Sequence, residues 1–326
     1  GRLVGVVPLY VKSHSMGEFV FDQAWATAAQ RARISYYPKL LVGVPFTPVG
    51  GPRLCAAPGA AHAFAAAVVE TLEGACATRG FSSVHVTFCR EEEAAALERH
   101  GWLRRTAWQY HWRNEGFISF DAYLGSLRSK RRNQVRRELR ALDEQGVTID
   151  VLEGDALPDA DLLFRLYCST VDTNPYGQRY LTRRFFELLL ERCRARLCVV
   201  LARQAGAVIA GTINVRTADT MYGRYWGCFR PLRHLHFNVC YYAGIAHCIR
   251  HGLAWFHPGA GGEHKMLRGF DAVPTTSMHY LHDPRLRAAV DEFLGRERAL
   301  VDDHIDALHA VTALKRGPGP AESEEP

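Results

Sequence analysis

The amino-acid sequence predicts an α/β (α+β) chain made of two successive α/β units and a long C-terminal amphipathic helix. Three observations carry this. Strand-like and helix-like segments alternate from the first residues onward instead of forming separate all-β and all-α blocks. The alternation restarts at Ser119, after an aromatic strand at 108–113. Finally, Leu286, Val290, Phe293, Leu294, Val301, Ile305, Leu308 and Val311 recur at helical spacing between charged faces.

Taken in order, residues 1–115 form the first domain. It has a strand at 3–10, a helix at 22–33, and a strand at 39–44 that runs into a Pro/Gly loop ending at Arg53. A helix at 60–78, a strand at 83–88, a short helix at 91–100 and the strand at 108–113 complete it. That opening strand already reads as mid-domain, so natural N-terminal sequence is expected to be missing. The second domain, 116–283, begins with a helix at 119–144 for which Ser119 is the natural N-cap. A strand at 148–152, helices at 160–171 and 182–194, and strands at 197–203, 208–216 and 221–227 follow, the first two of these joined by a hairpin at Gln204-Ala205-Gly206. A helix at 239–251 and a strand at 255–257 then lead into a glycine-rich loop. The C-terminal helix, 284–316, should pack its apolar stripe on the protein's own surface or on a second subunit, which would make a homodimer. Residues 317–326 are rich in Pro, Gly and Glu and predict a disordered tail.

Composition narrows the function. At 326 residues, 48% of them hydrophobic, the chain can bury a core larger than one average domain provides. Its nine cysteines are scattered without a C-x-x-C pair, and Cys198 and Cys240 lie in apolar runs. They read as reduced, small core residues in a reducing compartment, which argues against a zinc site, and no cofactor is expected. No apolar run approaches the ~18 residues that span a bilayer, and no basic-then-apolar signal opens the chain. A soluble, cytoplasmic protein with no membrane span is the expectation. The net charge of +6 is uneven: Arg128, Lys130, Arg131, Arg132, Arg136, Arg137 and Arg140 face a single acid, Glu138, within thirteen residues.

Several stretches can carry chemistry. On the helix from 119, Arg131 projects onto the apolar stripe that continues through Val135, Leu139 and Leu142, so it must meet an anion, either Glu138 or another core acid, or a substrate. The outward Arg128, Lys130, Arg132, Arg136 and Arg137 are either solvated or suited to phosphates, as on RNA or a nucleotide. In Tyr222-Gly223-Arg224-Tyr225-Trp226-Gly227-Cys228, glycines in a strand indicate close approach of another backbone or a ligand. Arg224 is the strongest ligand candidate there, with Tyr225 and Trp226 beside it or in the core. The stretch Pro258 to Phe270 places three glycines before Glu263, His264, Lys265 and Arg268. Glu263 or His264 can take a proton from an attacking amine, and Lys265 or Arg268 can hold a carboxylate or an oxyanion. Ser277 and His279, after this loop, are weaker candidates, as are Lys12, His14 and Glu18 in a polar turn near the start. The loop with Thr47, Gly50, Gly51 and Arg53 suits either an anion or a rigid turn.

These segments resemble the FemAB-like family, described as peptidoglycan biosynthesis or recognition proteins of the GNAT superfamily. The resemblance runs through PLYVKSHSMGEFVFDQAWA, YYPKLLVGVPFTPVGGPRL, QYHWRNEGFISFDAYLGSLRSKRRNQVRRE, YGRYWGC, LHFNVCYYAGI and FHPGAGGEHKMLRGF. It implies tandem GNAT-like domains, and the order of elements after Ser119 is that of a GNAT domain. It also implies transfer of an amino acid from aminoacyl-tRNA to an amine-bearing small molecule or peptide, such as a cell-wall precursor. By the same likeness the basic helix matches the arginine-rich opening of a second Fem domain, and Lys265 matches a late lysine of Fem proteins. Ordinary GNAT enzymes cradle CoA pyrophosphate with R/Q-x-x-G-x-G/A, whereas the equivalent residues 230–238 contain no glycine. A donor without CoA is therefore favoured. The alternatives are a CoA-dependent N-acyltransferase and a non-catalytic binder of cell-wall fragments or nucleic acid. In the preferred reading the Arg224 strand, the Glu263–Arg268 turn and the arginine-rich helix converge on one cavity.

Overall fold

The computed structural model describes residues 2–173 and 177–315, so the expected disordered tail lies outside the described residues. In chain order the elements begin with β1 (Gly5–Val6), β2 (Leu9–Lys12), α1 (Gln23–Arg31), β3 (Lys39–Val42), β4 (Cys55–Ala56) and α2 (Ala61–Arg79). Next come β5 (Ser83–Val86), α3 (Glu91–Arg99), β6 (Leu103–Arg113), α4 (Phe120–Ser126), α5 (Ser129–Asp143) and β7 (Val147–Leu152). Then follow α6 (Ala160–Val171), α7 (Arg183–Cys193), β8 (Leu197–Gln204), β9 (Ala207–Arg216) and β10 (Thr220–Cys228). The chain continues through α8 (Leu235–Phe237), a π-helical turn (Asn238–Tyr242), α9 (Ala243–Arg250), β11 (Trp255–His257), a 3-10 turn (Glu263–Arg268), β12 (Asp271–Leu281) and α10 (Pro284–Ala310). Two compact units result, one of Gly1–Gln109 with Val273–Ala307, the other of Tyr110–Ala272 with residues from Leu308 on.

In the first unit, β3 runs antiparallel to β2 and parallel to β5, and β5 pairs antiparallel with β12 (Met278 opposite Val86, Leu281 opposite Ser83). Every residue of β3 and β5 is buried, as befits strands covered on both faces. Leu40, Val42, Val84 and Val86 pack with Leu72 of α2 and Leu97 of α3. A second cluster joins Trp25 and Ala29 of α1 to Leu286, Val290 and Leu294 of α10. Each such side chain contributes about 1.5–3 kcal/mol of burial. Here the structure departs from the expected boundaries. Residues 273–283 were assigned to the second domain and the C-terminal helix to a separate element, yet strand pairing with β5 and the Leu286–Val290–Leu294 stripe bind both into the first unit. The stripe is thus used within the chain, where a second subunit was the other expectation.

In the second unit, β7, β8, β9 and β10 form an antiparallel meander, β10 pairs parallel with β11, and β11 pairs antiparallel with the end of β6. Residues of β8 alternate between two layers. Val199 and Leu201 face Leu163, Tyr167 and Phe186 of α6 and α7, whereas Val200 and Ala202 face Leu142, Leu235 and Val239. The helix expected over 119–144 is in fact two helices. Leu127 and Arg128 have extended backbones (ψ 146° and 143°), with Arg128 N–H donating to Ala313 C=O at 2.9 Å and Leu127 bridging Leu314. Pairing with a sequence-distant segment thus interrupts the helix and ends the continuous stripe on which Arg131 was placed. Among the described residues no helix is long and apolar enough to cross a membrane.

Candidate active site

The glycine-rich loop of the second unit builds a cage for one side chain. Gly259, Gly261 and Gly262 adopt positive φ (98°, 68° and 85°), which residues with a Cβ rarely do. The loop's carbonyls then surround Lys265, whose Nζ donates to Gly259 C=O at 2.6 Å and to Gly261 C=O at 2.5 Å, with Ala260 C=O at 3.4 Å. Lys265 is only 3% exposed and makes no ion pair with a carboxylate among the described residues. Burial pushes its pKa down to about 8. The glycines therefore serve a cation of the chain itself, in addition to the turn chemistry read from sequence.

Around this ammonium stands a group of neutral imidazoles. His264 Nε2 lies 2.8 Å from the Tyr241 hydroxyl, which the π-helical turn presents. Burial, then the charges of Arg268 and Lys265, lower the His264 pKa. His236 is pushed down to about 4 by burial first, then by its neighbour His264 and the charges of Lys265 and Arg268, and it meets Trp226 of β10 edge-on at 5.2 Å. His257 stacks on His111 at 3.5 Å and receives the edge of Tyr222. Burial holds these two imidazoles at about 4 and about 3. Glu263, by contrast, is exposed, so of the three proposed catalytic residues only His264 and Lys265 sit inside the cluster. Of the β10 candidates, Trp226 reaches the turn through His236. Tyr225 instead packs on Tyr167 and Phe186 of α6 and α7, and the Arg224 guanidinium lies over the Tyr225 ring at 5.5 Å. Adjacent strand residues point to opposite faces, which separates Tyr225 from Trp226, and the register shifts between Gly223 and Tyr225.

Arg268 occupies a different position from the expected ligand contact. Its Nη2 donates to both Glu138 carboxylate oxygens (2.8 and 2.9 Å), Nε to Tyr242 Oη (2.8 Å) and Nη1 to His264 C=O (2.8 Å). Its guanidinium also lies 3.5 Å from the Phe237 ring centroid. With its donors used inside the protein, Arg268 fastens the Glu263–Arg268 turn to α5. Glu138 is the buried charge of that helix, alongside Val135 and Leu142. Burial alone would raise its pKa, but hydrogen bonds from Tyr242, Gln134 and Arg268 hold the carboxyl below its usual range. Arg131, expected to be the inward charge, is half-buried and donates to Gln134 at 3.1 Å. Arg128, Lys130, Arg136 and Arg137 are exposed, and Arg132 is half-buried with a 3.4 Å contact to Ser129. None of these five forms an ion pair among the described residues.

The remaining candidates lie in the first unit. Lys12 Nζ donates to Met16 C=O and His14 Nδ1 accepts from Met16 N–H, so both close a polar turn. Glu18 is buried in a network that the sequence did not reveal. Lys39 Nζ donates to Glu18 (2.8 Å), Asp22 (2.5 Å) and Ser15 (2.8 Å), and Tyr36 donates to Asp22. His279 Nδ1 lies 2.7 Å from His85 Nδ1, and Ser83 holds the other nitrogen of His85. Ser277 accepts from Phe88 N–H. Arg53 donates to Thr87, Val49 and Pro52 carbonyls, which makes its loop a rigid turn.

A family model described as peptidoglycan biosynthesis/recognition, FemAB-like, matches residues 1–316. No curated protein matches the chain. Among solved structures, L-PGS from Bacillus licheniformis is similar at a TM-score of 0.53 and 9% identity, covering 81% of this chain and 84% of that one. The C-terminal domain of a lysylphosphatidylglycerol synthetase homologue from Agrobacterium fabrum gives 0.53 and 12%, covering 78% and 81%. FemX gives 0.52 and 10%, covering 89% and 88%. At such identities the likeness shows the fold alone, which in this chain is mixed α/β with the long C-terminal helix α10.

Proposed function

The chain belongs to the FemAB-like family of peptidoglycan biosynthesis/recognition proteins, and from that membership we propose that it is an N-acyltransferase. It moves an aminoacyl group from aminoacyl-tRNA to an amine of a cell-wall precursor or peptide-like metabolite. The observation that carries this reading is Lys265, a buried ammonium held by backbone carbonyls, beside neutral imidazoles and without a carboxylate partner among the described residues. In such a transfer the amine attacks the ester carbonyl, a C–N bond forms, and the C–O bond to the ribose breaks. A negative oxygen develops and the amine must lose a proton. Lys265 supplies positive charge for that oxygen and a proton for the departing ribose oxygen. Neutral His264, set by Tyr241, accepts the proton of the amine. The exposed cations of α5 support an RNA donor, and the absence of glycine at 230–238 speaks against the usual CoA cradle.

The test incubates the full chain with tRNA charged with labelled amino acids and a panel of amines. Base-stable, ribonuclease-resistant label in the amine, lost in Lys265→Ala, is the expected result. Failure to bind tRNA at low salt, together with a raised melting temperature in CoA, would replace this reading with CoA-dependent acyl transfer.

A further inference from the structure

We propose that the second unit carries a binding site for a late first-row divalent ion such as Zn²⁺, formed by Glu153, His247 and His251. His247 lies on α9 and His251, four residues on, is its C-cap, so the two share one face, with ring centroids 4.3 Å apart. Glu153 follows β7 directly and brings its carboxylate to that face. His247 Nε2 lies 3.5 Å from Glu153 Oε1, and His251 Nε2 lies 4.0 Å from Glu153 Oε2. One ligand atom from each of the three residues lies within 4.8 Å of the others.

Both separations are long for hydrogen bonds. They approach the about 3.3–3.4 Å between donors that share a tetrahedral ion with bonds of about 2.0–2.1 Å. Burial supplies a second, independent observation. His247 is 2% exposed, and its Nε2 is a buried atom that makes no hydrogen bond among the described residues. An imidazole nitrogen buried without a partner is costly, and a bound cation would remove that cost. Arg216 Nε, 2.9 Å from Glu153 Oε1, pairs with the carboxylate and fixes its position, the part that outer groups play at metal centres. Two imidazoles and a carboxylate are a donor set for Zn²⁺, Ni²⁺ or Cu²⁺ and a poor one for Mg²⁺ or Ca²⁺. Three protein donors leave a fourth position for water. The ion would tie the end of β7 to α9, independently of the Lys265 cluster and of the transfer reaction. The scattered cysteines alone argued against zinc, and the third donor, Glu153, lies almost a hundred residues from the two histidines in sequence.

Untagged full chain, freed of metal, is titrated with ZnCl₂ by calorimetry, and Co²⁺ is followed by its visible absorption. Binding of one ion per chain is expected, weakened at least about tenfold in both His251→Ala and Glu153→Gln and unchanged in His62→Ala, an exposed histidine in the other unit. His251 is partly exposed, so its variant should fold, and circular dichroism checks that it does. Absence of stoichiometric Zn²⁺ uptake, or uptake that either variant leaves within tenfold of the parent, overturns the site.

Discussion

Arg268 Nη2 donates to both carboxylate oxygens of Glu138, at 2.8 and 2.9 Å, across 130 residues of sequence. This buried pair couples the arginine-rich helix to the turn that bears Lys265, so the shape of the turn depends on a residue outside it. Glu138→Ala leaves a guanidinium buried without its counter-ion. The expected loss is about 3–5 kcal/mol of unfolding free energy in urea denaturation. The double variant Glu138→Leu/Arg268→Met should recover much of it while lowering activity, because the stacked guanidinium no longer holds His264 C=O.

In the first unit, Lys39 pairs with both Glu18 and Asp22 inside the protein, all three at 4% exposure or less. Lys39→Met should cost about 3–5 kcal/mol by the same reasoning. Thermal unfolding should show a lowered Tm, and a Lys39→Met chain as stable as the parent would show that the network is not structural.

Exposed cations of α5 predict a salt dependence. Each phosphate contact contributes roughly 0.7–0.9 to the slope of log affinity against log salt concentration. Arg136→Ala/Arg137→Ala should therefore lower the slope for tRNA binding by about 1.5 in filter-binding assays, with the melting temperature unchanged.

Lys265 predicts a pH dependence of stability. Its pKa falls from 10.5 to about 8 on folding, so between those values the unfolded chain binds more protons and stability rises with pH. Below pH 8 both states are protonated and the cost of the buried ammonium is fully present. Relative to Lys265→Met, the parent should gain on the order of 3 kcal/mol across that window, measured by denaturant midpoints at pH 7 and 10.

Much of this architecture was legible because local pattern decided it. Helix α6 and strand β11 fall where periodicity put them, and the 204–206 turn has Ala205 and Gly206 at positive φ. The glycine loop and its lysine were also visible, since positive φ and a charged cluster leave a compositional trace. The rest depended on partners distant in sequence. Strand β12 was missed because Ser277 and His279 read as weaker ligand candidates after the loop, whereas pairing with β5 buries them against Phe88 and His85. Lys39 sits in an apolar strand and gave no sign of the two acids that neutralise it. The Arg131 assignment failed for a related reason. The break at Leu127 answers to residues 313–314, and the anion on the buried face is Glu138, whose partner Arg268 no local pattern could name. Tyr241, His236, His111 and His257 were invisible as site residues because each contributes one ring from a separate element.

The most direct measurement is the rate of aminoacyl transfer against pH in the parent chain and in Lys265→Arg, with tRNA and amine held at saturation. The parent rate should fall above an inflection near pH 8 as the ammonium is lost, and that inflection should be absent from the variant, whose guanidinium stays charged. An identical profile in both chains, or full activity in Lys265→Ala, would contradict the assignment of Lys265 to the chemistry.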